Sequence, residues 1–106
     1  MIVKAITVYL RPGQRAAYLA AQEIWNKETQ KSPGYLGCFV GATPDEPRVV
    51  HINAYWRTRE DLDRFMVVDH DRIAALAQAH EHYERIEVRV MESVLPAVMA
   101  GAGANQ

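Results

Sequence analysis

The chain has 106 residues, of which 49% are hydrophobic and 24% are charged, and its formal net charge is −1 at pH 7. This length suits one domain, and the composition is ordinary for a globular protein. Lys and Arg are scattered, without the clustered basic face that nucleic-acid binding needs. No apolar run approaches the roughly 20 residues of a membrane-spanning helix, and the N-terminus is too short and strand-like for a signal peptide. We therefore expect a soluble, cytoplasmic protein with no nucleic-acid or membrane partner.

The first two segments predict a strand and then a helix. Residues 2–10 are rich in β-branched residues, and alternation places one set of side chains on a single strand face: Ile2, Lys4, Ile6, Val8 and Leu10. Residues 14–31 have helical spacing. The predicted buried face of this helix carries Ala17, Ala21, Ile24 and Trp25, with Tyr18 beside it. The largely opposite face carries Gln22, Glu23, Asn26 and Lys27.

The middle of the chain predicts an antiparallel hairpin, with strands at 35–42 and 48–56 and a Pro-rich turn at 43–47. In the first strand the pattern places Tyr35, Gly37, Phe39 and Gly41 on one face, where the glycines leave room for a bulky group or mark a bulge. In the second strand, Val49, His51, Asn53 and Tyr55 point one way. Val50, Ile52, Ala54 and Trp56 point the other way. The single Cys38 in this hairpin excludes an intrachain disulfide.

A second helix and a fourth strand complete the pattern. Thr58 is the predicted N-cap, followed by acidic residues in the first turn. An apolar stripe then runs along the helix, is interrupted at Asp69-His70-Asp71, and resumes at Ile73. The fourth strand spans about residues 84–94, with Ile86, Val88 and Val90 facing inward.

The order β-α-β-β-α-β predicts an α+β, ferredoxin-like fold with an antiparallel sheet. We expect one domain over residues 1–95 and a flexible C-terminal tail over 96–106 that is either disordered or an arm packing on a partner. The two helices cover one sheet face. The other face mixes polar and aromatic side chains: Thr7, Tyr9, His51, Asn53, Tyr55, Glu87 and Arg89. A second copy packed sheet on sheet would cover it, so the sequence predicts a homodimer through this open face.

Several segments together resemble one family. They are the strand 51–56 that ends in Trp56, the Phe65-Met66 pair, the triplet 70–72 and the segment Pro33-Gly34-Tyr35-Leu36-Gly37. They resemble the antibiotic-biosynthesis-monooxygenase-like domains of the dimeric α+β barrel superfamily, over about residues 1–94. The resemblance implies the dimeric fold. It also implies a choice among known activities, which include cofactor-free oxygenation of phenolic polyketides to quinones, haem degradation and polyketide cyclisation.

The resemblance also implies roles for individual residues. Trp56 matches the strand-end Trp of the quinone-forming and haem-degrading members, and Asn53 resembles the Asn that precedes it, three residues away rather than four. His70 resembles the helix His that ligates haem iron, but it lies further from the Trp, and the N-terminal strand lacks the Asn of the haem degraders. His51 and His70 together resemble the His pair of the polyketide cyclases.

We therefore predict a cofactor-independent monooxygenase that acts on an aromatic, polyketide-type small molecule in a pocket between the sheet and the second helix. His70 is the predicted base, with Asp69 or Asp71 positioning it. The predicted catalytic set is His70, Trp56, His51 and Asn53, and the predicted substrate contacts are Tyr55, Phe65, Met66, Tyr35 and Trp25. No metal and no cofactor are expected.

Other interpretations stay open at this point. A cyclase would use the same base, and a non-catalytic dimer that binds a small ligand would not need it. Haem binding is a weaker alternative. Trp56 is also typical of a core residue. His70 is also typical of a helix-joint His bonded to a neighbouring carboxylate, and His51 of a polar contact across the dimer seam. The pair His80 and His82 predicts a solvated helix end.

Overall fold

The structure is a computed structural model that describes residues 1–97. Most of the predicted tail, residues 98–106, lies outside the described residues. The elements in chain order are β1 (Ile2–Leu10), α1 (Arg15–Thr29), β2 (Tyr35–Gly41), β3 (Val49–Trp56), α2 (Arg59–Val68), α3 (His70–Ala77), a short 3-10 helix (Ala79–His82) and β4 (Tyr83–Glu92). The strands form one antiparallel sheet in the order β2-β3-β1-β4. The predicted ferredoxin-like α+β fold is confirmed.

The hydrophobic core lies between one sheet face and the helices, in two clusters. The first joins the sheet to α1 and α3 through Val8, Leu10, Tyr18, Ala21, Val50, Ile52, Ala77 and Ala79. The second joins the sheet to α2 and α3 through Ile2, Trp56, Leu62, Phe65 and Ile73. Trp25 of α1 packs against both clusters. None of the helices within residues 1–97 is long and apolar enough to cross a membrane.

The start and the interruption of the second helical region agree with the sequence pattern. The Thr58 side chain accepts a hydrogen bond of 3.1 Å from the Asp61 backbone N–H, so the predicted N-cap is confirmed. Helix α2 ends at Val68 and α3 begins at His70, with Asp69 between them. The acidic interruption of the apolar stripe therefore marks a joint between two helices.

The predicted face of α1 packs on the core, since Tyr18 and Ala21 are buried and Ile24 and Trp25 pack against the core cluster. The prediction was wrong at two positions: Ala17 is exposed, whereas Gln22, on the predicted opposite face, is only 8% exposed. Burial of the amide is tolerated because its polar atoms are hydrogen-bonded to neighbouring side chains.

The prediction that Tyr35 shares a face with Phe39 was also wrong, because a bulge lies between them. The pairing register shifts between Tyr35 and Gly37, and Gly37 has φ = +137°, a conformation that side chains rarely adopt. Tyr35 is therefore opposite Trp56 on the helix side, whereas Phe39 is opposite Asn53 on the open face. The alternative interpretation of the glycines as a bulge is confirmed at Gly37.

The edge strand β4 is only partly covered by the helices. Ile86, Val88 and Val90 pair with Val8, Ile6 and Lys4 and so share the helix-side face, as predicted. They nevertheless remain 40–50% exposed. This edge of the helix-side face is the least protected part of the core.

Candidate functional site

A cavity of about 220 Å³ lies between the sheet and the helices. Its floor is apolar and comes from the strands, including Ile6, Ile52, Ala54 and Val88. Its walls are aromatic, with Trp25, Tyr35, Trp56 and Phe65 among the lining residues. An apolar cavity of about 150 Å³ is enough to bind benzene. This cavity therefore suits an aromatic ligand of more than one ring.

Trp56 anchors the aromatic wall at the end of β3. It is 1% exposed, and its ring lies 4.9 Å from Phe65 and 5.1 Å from Tyr35 between centroids. Its indole Nε1 is buried and has no hydrogen-bond partner within the described residues. A buried N–H without an acceptor is costly, so one of the residues that line the cavity keeps an unsatisfied donor.

His70 borders the cavity at the first residue of α3. Its ring centroid lies 5.2 Å from Trp25 and 6.2 Å from Phe65, and its Nδ1 lies 3.2 Å from Asp71 Oδ1. When Nδ1 carries the hydrogen and donates it to the carboxylate, Nε2 keeps a lone pair that can accept a proton. The ring is 31% exposed, so it is reachable from solvent and from the cavity.

A polar cluster fixes the joint that carries His70. Asp69 does not contact His70, but accepts a 3.0 Å hydrogen bond from Ser32 Oγ and lies 3.4 Å from Arg72. Arg72 also donates to Glu28 at 3.1 Å. Hydrogen bonds from Lys31 and Arg72 lower the pKa of Glu28. Of the two carboxylates predicted to position His70, Asp71 contacts it directly, and Asp69 ties the α2–α3 joint to the end of α1.

A polar row on α1 was missed by sequence reasoning. Tyr18 Oη donates to Gln22 Oε1 at 3.1 Å, and Gln22 Nε2 donates to Asn26 Oδ1 at 2.9 Å. Cys38 Sγ donates to the same Asn26 oxygen at 3.4 Å. All four residues line the cavity. The spacing of four residues between Tyr18, Gln22 and Asn26 was the available signal, since such residues share one helix face.

Lys4 was also missed. It lies in β1 on the helix side of the sheet, lines the cavity, and its Nζ donates to Met66 Sδ at 3.2 Å. Burial lowers its pKa. A single Lys among Ile2, Ile6 and Val8 on an otherwise apolar strand face was the signal that could have identified it.

The other predicted site residues divide between the two faces of the sheet. Phe65, Tyr35 and Trp25 line the cavity with Trp56 and His70. Met66 is partly exposed and contacts Lys4, but does not itself line the cavity. His51, Asn53 and Tyr55 lie on the open face, paired with Thr7, Ala5 and Val3 of β1. The structure therefore does not bring them together with His70.

The histidines near the end of the helical region have separate surroundings. His80 borders the cavity, and His82 Nδ1 lies 2.9 Å from Gln14 Oε1. Among residues 1–97 there is no group of three or more His, Cys, Asp and Glu side chains placed to hold a metal ion.

Solved structures with the same architecture are numerous. A crystal structure described as an antibiotic biosynthesis monooxygenase is 20% identical, covers 90% of this chain and 100% of its own, and has a TM-score of 0.72. A mutant of SnoaB, a cofactor-independent oxygenase from Streptomyces nogalater, is 8% identical, covers 90% and 94%, and has a TM-score of 0.78. Rv0793 from Mycobacterium tuberculosis is 19% identical, covers 92% and 98%, and has a TM-score of 0.75. At these identities the similarity establishes the fold, which hosts several activities.

One family model matches most of the chain. The family described as Domain of unknown function (DUF4937) matches residues 2–91. No curated protein matches the chain. The chain belongs to the DUF4937 family, and its fold is similar to that of the solved antibiotic biosynthesis monooxygenase structures.

Proposed function

We propose that this protein is a cofactor-independent monooxygenase acting on an aromatic, polyketide-type small molecule in the cavity. The observation that carries the proposal is His70, which stands at the wall of an aromatic cavity with its Nδ1 next to a carboxylate. A base of this kind, facing a site for fused rings, suits the deprotonation of a phenol or an acidic ring carbon. The cofactor-independent oxygenase among the proteins of the same fold supports the same class of reaction.

The proposed reaction requires only the substrate, oxygen and the base. The substrate ring packs against Trp56, and Nε2 of His70 takes a proton from the ring system. The resulting electron-rich anion passes one electron to O₂, and the radical and superoxide combine to a peroxide anion. This anion takes the proton back from the His70 imidazolium and becomes a hydroperoxide. Loss of water then converts a ring CH₂ to a carbonyl, so that one oxygen atom stays in the product and the other leaves as water. Asp71 stabilises the imidazolium formed in the first step.

We also propose that the protein is a homodimer that joins two open sheet faces. Phe39 is 57% exposed on this face, among the half-buried side chains of β1 and β3. Two of its charged groups are already paired, because Tyr9 Oη donates to Glu87 at 2.9 Å and Arg85 lies 3.9 Å above the Tyr9 ring. Paired charges lower the cost of burying such a face. In this assembly His51 and Asn53 are interface residues, and the cytoplasm is the proposed compartment, where Cys38 remains a thiol.

The test combines ligand binding with turnover. Hydroxylated anthrones and flavonoids are screened by thermal shift, and each hit is followed by oxygen uptake. Replacing His70 by Ala should lower the rate by about 10²- to 10⁴-fold, the usual contribution of a general base, while binding stays nearly unchanged. His82→Ala is the matched control, since His82 does not line the cavity and its loss should leave the rate intact.

Each alternative gives a different result in the same assay. Product formation that depends on His70 without oxygen uptake identifies a cyclase, in which the base drives an aldol closure. Binding without turnover, unchanged in His70→Ala, identifies a ligand-binding dimer in which His70 is part of the scaffold. Loss of turnover in His51→Ala with full turnover in His70→Ala would contradict the assignment of the base.

A further inference from the structure

Lys4 lines the cavity and has no negatively charged partner in the described structure. Lys4 lies opposite Ala54 of β3 and Val90 of β4, in the middle of the sheet on its helix side. The ion pairs formed within residues 1–97 do not include Lys4, and its polar contact is the thioether of Met66, which is a weak acceptor. An ammonium group withdrawn from water in this way is unfavourable without a counter-ion.

The rest of the cavity lining supplies no negative charge either. Neither Asp nor Glu is among the residues that line it. The titratable groups that share the cavity with Lys4 are Tyr18, Tyr35, Cys38, His70, His80 and Tyr83. Burial raises the pKa of Tyr18 and of Tyr35 well above the ordinary value, so both phenols stay neutral. The cavity is therefore aromatic and electropositive.

A second unpaired donor lies beside Lys4. Trp56 pairs with Ile2, two residues from Lys4 on the same face, so Lys4 and Trp56 are diagonal neighbours on adjacent strands. The Cα atoms of such neighbours are about 7–8 Å apart, so the two side chains belong to the same part of the cavity lining. The Trp56 Nε1 is buried without an acceptor in the described part of the chain. Lys4 Nζ has only a thioether as its acceptor, and the Trp56 N–H has none within residues 1–97. A ligand oxygen would be a better acceptor for both of these cavity-lining residues.

We propose that Lys4 is an anion-binding residue that makes this cavity select fused-ring aromatic ligands carrying one ionised oxygen acid, a carboxylate or a phenolate. The ring system occupies the aromatic walls, and the charged oxygen accepts from Lys4 Nζ and from the indole of Trp56. This inference rests on the proposed function, because it assigns the substrate class of the same site. In the proposed reaction Lys4 would stabilise the anion that His70 creates.

The test compares two probes of nearly equal shape, 2-naphthoate and its neutral analogue 2-naphthamide. Binding of each is measured by titration calorimetry to the wild type, to Lys4→Met and to Lys27→Met, a matched change at an exposed lysine of α1. The wild type and Lys27→Met should bind 2-naphthoate about 10- to 100-fold more tightly than 2-naphthamide, as expected for one charge-assisted hydrogen bond. Lys4→Met should bind both probes equally, and Lys4→Arg should keep the preference.

Several results would overturn the proposal. They are equal binding of the two probes by the wild type, no binding of either probe, or a preference that survives in Lys4→Met. Folding of each variant is checked independently by the dispersion of its indole N–H resonances, and the Trp56 resonance should move on addition of 2-naphthoate to the wild type. The binding assay does not depend on turnover. A Lys4-dependent preference for 2-naphthoate in a protein that oxidises none of the hits would contradict the proposed monooxygenase but support the anion-binding role of Lys4. Turnover without a preference for 2-naphthoate would support the monooxygenase and contradict the anion-binding role of Lys4.

Discussion

The two faces of the sheet are built from the same strands but have opposite chemistry. On the helix side, Lys4 has no charged partner and the Trp56 indole has no acceptor in the described chain, and both residues border an aromatic cavity. On the open face, several polar groups contact one another, as Tyr9 does with Glu87 and Thr7 with His51. Unpaired donors beside an empty volume are typical of a ligand site, whereas paired polar groups on a flat face are typical of an interface.

Alternation makes this division possible with adjacent residues. In β3, Ala54 and Trp56 contribute to the cavity, while Asn53 and Tyr55 point to the other face. A shift of the β3 register by one residue would move the cavity-lining side chains to the open face and the open-face side chains into the cavity. The antiparallel pairing of β1 with both β3 and β4 therefore protects the site as well as the fold.

The largest expected effect comes from filling the cavity while leaving the open face unchanged. Ala54→Trp places a large ring in the cavity floor and should weaken binding of any aromatic hit by about 100-fold or more, because the ligand volume is occupied. The oligomeric state, measured by light scattering, should stay that of the wild type. A variant that still binds the hit with wild-type affinity would place the ligand elsewhere.

A smaller effect is expected from charging the open face. Phe39→Glu removes an exposed ring and adds a carboxylate, so it should raise the dimer dissociation constant by about 10- to 100-fold in analytical ultracentrifugation. The matched control is Val67→Glu, at a residue of α2 that is 86% exposed. Identical sedimentation of both variants and the wild type would argue against an interface at this face.

The smallest effect concerns stability and its dependence on pH. Burial lowers the pKa of Lys4 below 10.5, so the unfolded chain binds this proton more tightly than the folded chain does. Burying the protonated Lys4 therefore lowers the free energy of unfolding. This destabilisation is fully present below the lowered pKa of the folded state and disappears as the pH rises to about 10.5 and above. Lys4→Met should therefore raise the melting temperature by a few degrees near pH 7, about the shift that a small gain in stability produces in a domain of this size. The gain should shrink toward pH 10.5, and Lys27→Met should show neither change.

The sequence predicts the fold well because its signals are local. The β-branched alternation of β1, the Thr58 cap and the acidic break at Asp69 each depend on a few neighbouring residues, and each appears in the structure at the expected place. The turn between β2 and β3 likewise joins two antiparallel strands. These elements, in their order, determine the ferredoxin-like topology.

The site is predicted less completely because it depends on exceptions to hydrophobic patterning. Gln22 and Asn26 were assigned to solvent as polar residues, although they line a cavity whose polar groups satisfy one another. Tyr35 was assigned to the wrong face because the bulge at Gly37 reverses the alternation before it. The clustering of Trp25, Phe65 and His70 around Trp56 depends on helix packing, which no local spacing encodes.

The most direct measurement is the position of a bound aromatic ligand, determined by crystallography or by chemical-shift mapping with the tightest hit of the screen. We predict that the rings of the ligand lie between Trp56 and His70 and that one of its oxygen atoms lies near Lys4. The surroundings of Phe39 should be the same in the complex as in the free protein. A ligand bound on the open face, beside His51, Asn53 and Tyr55, would contradict it. The catalytic site would then lie on the face that is here assigned to the dimer.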